Sequence, residues 1–138
     1  MSVSFKVDYL IYPIGSGDFL HAFFSTVCCR LEANHWGSRY PYLMKELYYR
    51  QLAWMDVPFA RKELQAIQKG LRRLPPAAVV WDRENLSKVP PWCDTISPHI
   101  TDLANYFVTN DGRDLLSVLL LAMDDAQALE RPLEIVSL

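Results

Sequence analysis

Apolar and polar residues alternate at the start of the chain, with Val3, Phe5, Val7, Tyr9 and Ile11 at every second position and Ser4, Lys6 and Asp8 between them. A period of two marks a strand with one buried face, and it predicts a single strand running to about Pro13. From Phe19 the rhythm changes: Phe19, Leu20, Phe23, Phe24, Val27, Cys28 and Leu31 recur at helical spacing with a wide apolar face. A helix is therefore expected directly after the intervening turn. Asn34 to Tyr40, NHWGSRY, reads as a loop. Pro41 then suits a first helical turn, and Tyr42, Leu43, Leu47, Tyr48 and Tyr49 supply a shorter, aromatic-rich helix. Pro58 opens a third, with Ala60, Leu64, Ile67, Leu71 and Leu74 as a narrow stripe that ends at Pro75 and Pro76.

The second half carries more punctuation. AAVVW predicts a short buried strand and NYFVT another, β-branched and aromatic. Between them KVPPWCDTISPHI is expected to be a long ordered loop, because Pro90, Pro91 and Pro98 deny it backbone donors. Asp111 reads as the N-cap of a helix from Arg113 to about Ala128, with Asp114 in its first turn. That helix is apolar around most of its circumference, which predicts a central buried position. Pro132 stops it, and LEIVSL adds a terminal edge strand. The predicted order is β-α-α-α-β-β-α-β: an α+β fold, with a small, mainly antiparallel sheet and about four helices packed on it, forming one domain over residues 1–138.

Composition narrows the class without changing that picture. A chain of 138 residues can bury roughly two-thirds of its unfolded surface around one core. With 51% apolar and 22% charged residues it is ordinary globular material, neither a disordered tail nor a repeat. The longest apolar run, Val118 to Met123, falls far short of the roughly 20 residues needed to cross a bilayer, so no membrane span is expected. MSVSFKVDYL lacks a basic cap followed by an apolar block, and the expected location is the cytoplasm. Cys28, Cys29 and Cys93 cannot all pair, and adjacent cysteines are poorly placed for an ordinary bridge; reduced, mostly buried thiols are expected.

Charge is unevenly spread. The first 75 residues hold ten Lys or Arg against six Asp or Glu, whereas from Pro76 onward four basic residues face ten acidic ones. Asp94, Asp102, Asp111, Asp114, Asp124, Asp125 and Glu130 fall where Arg113 is the sole counter-charge before Arg131. Such a segment attracts a partner with a basic face, acting mainly on encounter rate and specificity, and repels nucleic acid.

The most suggestive local chemistry is YPIGSGDFLHAFF, residues 12 to 24, where Gly15, Ser16 and Gly17 lie between strand and helix as phosphate-binding loops do. A dinucleotide fingerprint needs a third glycine where this chain has Leu20, and Asp18 places a negative charge where an anion would dock. The Lys and Ser/Thr of a P-loop are absent. The segment therefore reads as a tight turn and helix cap, and a small ligand-binding or enzymatic domain using Gly15 to His21 is the alternative reading. His21 and Cys28 share a helix face, but seven residues along a helix span about 10 Å, too far for a thiol and its base. His35 and His99 have no partner at metal-ligand spacing, and neither C-x-x-C nor H-x-x-x-H occurs. No metal, no cofactor and no catalytic constellation are expected, hence no enzyme.

Trp81 is expected in the core. Trp36 and Trp92 lie in loops, where an aromatic either fastens the loop to the domain or anchors an interface; fastening weighs more because a long Pro-rich loop must be held. Trp36, Tyr40, Trp92, Asp94, Asp102 and Asp111 are the candidate partner-binding residues. A further reading pairs the apolar helix from Arg113 to Ala128 with a copy of itself, giving a homo-oligomer.

Taken in order, IGSGDFLHAFFSTVC, WGSRYPYLMKELYY, VVWDRENL, PPWCDTISPHITDLANYFVTNDGRDLL and LEIV resemble the immunity protein seventy family of bacterial polymorphic toxin systems. The resemblance spans Val3 to Val136 and is most specific in SGDFLH, WGSRYPYLM and NYFVTNDGRDL. It implies a cytoplasmic protein that binds and neutralises a cognate toxin domain without catalysis. It implies no particular contact residues. Many delivered toxins are nucleases with basic clefts, for which an acidic inhibitor surface is physically sensible.

Overall fold

The computed structural model describes residues 2–92 and 95–137. The alternating N-terminal stretch forms two strands, β1 (Ser2–Val7) and β2 (Leu10–Ser16), folded back on each other at Asp8 and Tyr9. Asp8 takes a left-handed conformation there (φ 54°). The turn inverts the phase of burial: Phe5 and Val7 face the core, Tyr9 and Ile11 face water, and Tyr12 and Ile14 face the core again. Unbroken alternation thus concealed a hairpin. Opposite Val3 and Ser4 the register slips, leaving Ile14 as an extra residue on β2.

The sheet is antiparallel with four strands in the order β2-β1-β4-β3. Its last strand in sequence, β4 (Leu133–Ser137), inserts between β1 and the two-residue strand β3 (Gln51–Leu52), so the predicted terminal edge strand is an interior one. β3 is too short to give a period-two signal, which is why its place outside β4 is invisible in the sequence.

Helix α1 (Gly17–Leu31) lies against β1 and β2, α3 (Leu115–Leu129) against β1, β2 and β4, and α2 (Val57–Leu71) against both helices. A π-helical segment, Tyr42–Leu47, replaces the aromatic-rich α-helix, and its first amides, Tyr42 N–H and Leu43 N–H, donate to the Glu63 carboxylate at 3.2 and 2.9 Å. The most enclosed helix is α1, continuously buried from Ala22 to Cys28. α3 keeps Leu120, Leu121 and Leu129 exposed, so it is a flanking helix and not the central one expected. The Tyr12 hydroxyl donates to Asp125 and ties β2 to α3.

The strands expected at AAVVW and NYFVT do not form. Pro76–Ala78 is a 3₁₀ turn, and Val80 spends its N–H on the Thr26 hydroxyl (3.0 Å) instead of on a ladder. Around NYFVT, Leu115 N–H returns to Phe107 O and Thr109 N–H to Arg113 O, closing a local turn with a single bridge between Val108 and Asp114. Its aromatic residues are core plugs: Phe107 meets Phe19, Phe23 and Tyr106 edge to face at 5.1–5.9 Å. α3 is capped by Asp114, which accepts from Ser117 N–H at 3.0 Å, and not by Asp111. The element order is β-β-α-π-β-α-α-β, an α+β domain as expected in class and different in detail.

Candidate functional site

The Gly15–Gly17 turn is shaped for capping. Gly15 sits at φ +151°, where only glycine is at ease, directly after the extra residue on β2. Ser16 is the N-cap of α1, its Oγ accepting from Phe19 N–H at 3.1 Å, and Asp18 occupies the first turn. The Ile14 carbonyl accepts from Asn110 N–H at 2.8 Å, which pins the loop before α3 to the rim of the sheet. The helix end thus meets a serine oxygen and a carboxylate of its own chain, leaving little electrostatic reason for an added anion.

At the other end of α1, Glu32 is a buried carboxylate, 1% exposed, that organises the following loop. Its oxygens accept from the backbone N–H groups of Gly37, Arg39 and Tyr40, each at 3.0 Å. Gly37 (φ +76°) lets the chain turn toward Glu32 beneath the Lys45 side chain. The arrangement fixes two of the candidate residues. Trp36 is partly buried, donates Nε1–H to Met44 O at 2.7 Å and packs among Phe24, Tyr48 and Tyr49. Tyr40, at 6% exposure, belongs to the core and presents little to a partner.

The aromatic cluster borders His21. Its Nδ1 lies 2.7 Å from the Tyr48 hydroxyl, and its Nε2 2.9 Å from Glu84 Oε2 and 3.4 Å from Asp82 Oδ1. The segment carrying these carboxylates is held on α1 by Thr26, and by Ser25 Oγ, which accepts from Arg83 N–H at 3.1 Å. Although burial pushes the Asp82 carboxyl up, the Glu84 backbone N–H, Lys88 and His21 hold it at about 2. No spacing rule connects residue 21 with residues 82 and 84, so this group was not legible in the sequence. Burial pushes both neighbouring thiols, Cys28 and Cys29, above the ordinary range, which disfavours the nucleophilic thiolate. Cys93 and Asp94 lie outside the described residues.

Trp92 and Asp102 line two adjoining pockets. Trp92 donates Nε1–H to the Tyr106 hydroxyl at 2.8 Å and stands edge-on to Trp81 at 5.3 Å, so it fastens its loop to the core. Asp102 Oδ1 accepts from Ala104 and Asn105 N–H, and Leu103 N–H reaches Leu74 O, which docks the turn against the end of α2. Asp102 and Asp114, twelve residues apart, line one open cleft of about 710 Å³ together with Arg72, His99 and Asn105. Beside it, sharing Ser97, Ile100 and Val108, lies a more apolar pocket of about 260 Å³ walled by Trp92, Phe19, Ile96 and Tyr106. Asp111 is exposed next to Gly112 at the cleft margin and accepts from the Thr109 hydroxyl.

The family model described as Immunity protein 70 matches residues 5–135. The chain belongs to that family. No curated protein and no solved structure matches it. The matched range holds β2, α1, the π-helical segment, α2 and α3 whole and parts of β1 and β4, so the residues around the cleft and around His21 lie within it. No helix among the described residues is long and apolar enough to cross a membrane.

Proposed function

We propose that this immunity-family protein binds a cognate toxin domain of a polymorphic toxin system in the cytoplasm and neutralises it without catalysis. The observation that carries the reading is the family match over residues 5–135. The surface proposed for docking is the cleft of Asp102 and Asp114 with exposed Asp111 at its margin and the Trp92-walled pocket beside it. An apolar recess next to a ring of carboxylates suits a basic partner that inserts one aromatic or aliphatic anchor. Asp94, two residues after Trp92 in sequence, belongs to the same proposal. Trp36 and Tyr40 are assigned to holding the loop after α1. Nucleic acid is disfavoured as a direct partner of the carboxylate-lined face, and a basic toxin, a nuclease among the candidates, is favoured.

The alternative of a ligand-binding or enzymatic site at Gly15 to His21 finds less support. Ser16 is committed to capping α1, and both described thiols are held protonated by burial. Co-expression tests the leading reading. The toxin encoded beside this gene should arrest growth alone and lose its effect with the intact chain. Reversing Asp102, Asp111 and Asp114 to Lys should slow association and flatten its dependence on salt. Growth arrest that persists with the intact, folded chain overturns the function; unchanged association kinetics in the triple variant move the docking face elsewhere.

A further inference from the structure

The group around His21 has an electrostatic problem that its own chain only partly solves. Asp82 Oδ1, a Glu84 carboxylate oxygen and a His21 ring nitrogen all lie within 4.8 Å of one another. Lys88 Nζ sits 3.2 Å from the other Asp82 oxygen, Oδ2, leaving Oδ1 turned to the imidazole. Arg83, from the same segment, is directed away: its guanidinium lies over Trp36 at 5.6 Å and donates to Asn34 O. Two carboxylates thus converge on Nε2, with one ammonium on the far oxygen of Asp82. A nitrogen lone pair cannot face two anionic oxygens stably, so either Nε2 carries the ring hydrogen, with the Tyr48 hydroxyl donating to Nδ1, or a metal ion lies between them.

The surroundings favour the metal. His21 Nδ1 lies 2.7 Å from the Tyr48 hydroxyl; in the tautomer that donates Nδ1–H to it, Nε2 is the free ligand atom, and an outer partner of that kind is how a metal-binding imidazole is oriented. Zinc bonds of roughly 2.0–2.1 Å in a tetrahedron separate ligand atoms by about 3.3 Å; the two nitrogen–oxygen distances here, 2.9 and 3.4 Å, bracket that value. The carboxylates are held in place, Asp82 by the Glu84 N–H at 2.9 Å and the segment by Ser25 and Thr26 of α1. On the solvent side the Glu84 side chain is 64% exposed, which leaves room for a water or a partner's ligand. One imidazole and two carboxylates suit a divalent first-row ion, more strongly the later members of the series.

We propose that His21, Asp82 and Glu84 form a binding site for a divalent transition metal, with zinc the ion it fits. The ion bonds α1 to the segment after the 3₁₀ turn and so fastens residues 82–88 to the helix. The site lies apart from the proposed docking cleft and does not depend on the toxin reading.

The test is titration of the full chain at neutral pH with Zn²⁺ by calorimetry and with Co²⁺ by visible absorption. One ion per chain is expected, with a saturable rise in Tm and the d–d absorption of four-coordinate cobalt. His21→Gln and Glu84→Gln should each weaken binding by at least about tenfold, while Lys88→Gln retains it. Because Glu84 is exposed, Glu84→Gln decides the matter even if His21→Gln folds poorly. Absence of binding and of the cobalt band means that a proton alone fills the position, and overturns the proposal. Binding undiminished in Glu84→Gln overturns it as well.

Discussion

Replacing Glu32 with alanine removes three backbone hydrogen bonds at once. Arg39 is exposed and its N–H regains water, but Gly37 and Tyr40 are buried and theirs do not. A hydrogen bond to a charged acceptor contributes about 1.5–3 kcal/mol, and a stranded buried donor costs about 1–3 kcal/mol. Two stranded donors therefore place the loss at about 2–6 kcal/mol, a large share of a typical stability of about 5–15 kcal/mol. With an unfolding entropy of about 2.1 cal/mol/K per residue, a chain of this length loses about 3–4 °C in Tm per kcal/mol, so a fall of about 7–21 °C is expected by calorimetry. Glu32→Gln should lose about half as much, since one amide oxygen can keep the Oε2 partners, Arg39 and Tyr40, while its NH₂ confronts Gly37 N–H. Urea denaturation provides an independent ΔG, and Lys62→Ala on the exposed side of α2 is the neutral control. A Glu32→Ala protein that melts within about 3 °C of the parent, the equivalent of about 1 kcal/mol, would refute the assignment of Glu32 as the organiser of this loop.

Gly37→Ala places a Cβ at φ +76° and into the Lys45 side chain, so a loss of about 1–2 kcal/mol is expected in the same denaturation assay. Asp114→Ala should lose about 1 kcal/mol as a missing N-cap, whereas Asp114→Asn should keep that stability and still slow toxin association, a separation readable by pairing Tm with stopped-flow kinetics. Thr26→Val leaves the Val80 N–H without its 3.0 Å acceptor; about 1–3 kcal/mol and faster amide exchange at residues 79–84 are expected. Asp82 is held below its ordinary value of 3.8, so its contribution to stability is present above that value and disappears as pH falls toward about 2. Urea midpoints of the parent and of Asp82→Asn should accordingly converge across that interval.

Class, domain size and the three principal helices were legible because each helix carries a long apolar periodicity, which neighbouring elements merely shift by a residue or two. The first turn was not, because a two-residue reversal preserves alternation while exchanging the faces, and only the exposure of Tyr9 and Ile11 reveals it. AAVVW and NYFVT misled for another reason. Their Val, Phe and Tyr residues are buried as in strands, yet their amides bond Thr26 or close a local turn, and apolarity carries no record of where a backbone donor goes. Trp92 and Asp102 were singled out by residue type, and each lines one of two adjoining pockets. The sequence could not foresee that Tyr40 turns inward, nor that Glu32 and Asp82 hold their places through long-range geometry, since neither is distinguished from a surface acid by its neighbours in the chain.

The pairing of β1 with β4 sets Val3 opposite Ser137. A ribosome must therefore deliver the whole stretch from Val3 to Leu133 before the middle of the sheet can close, and closing so long a loop puts such topologies among slower folders. A fragment lacking Leu133–Ser137 would leave β1 and β3 without the strand that joins them.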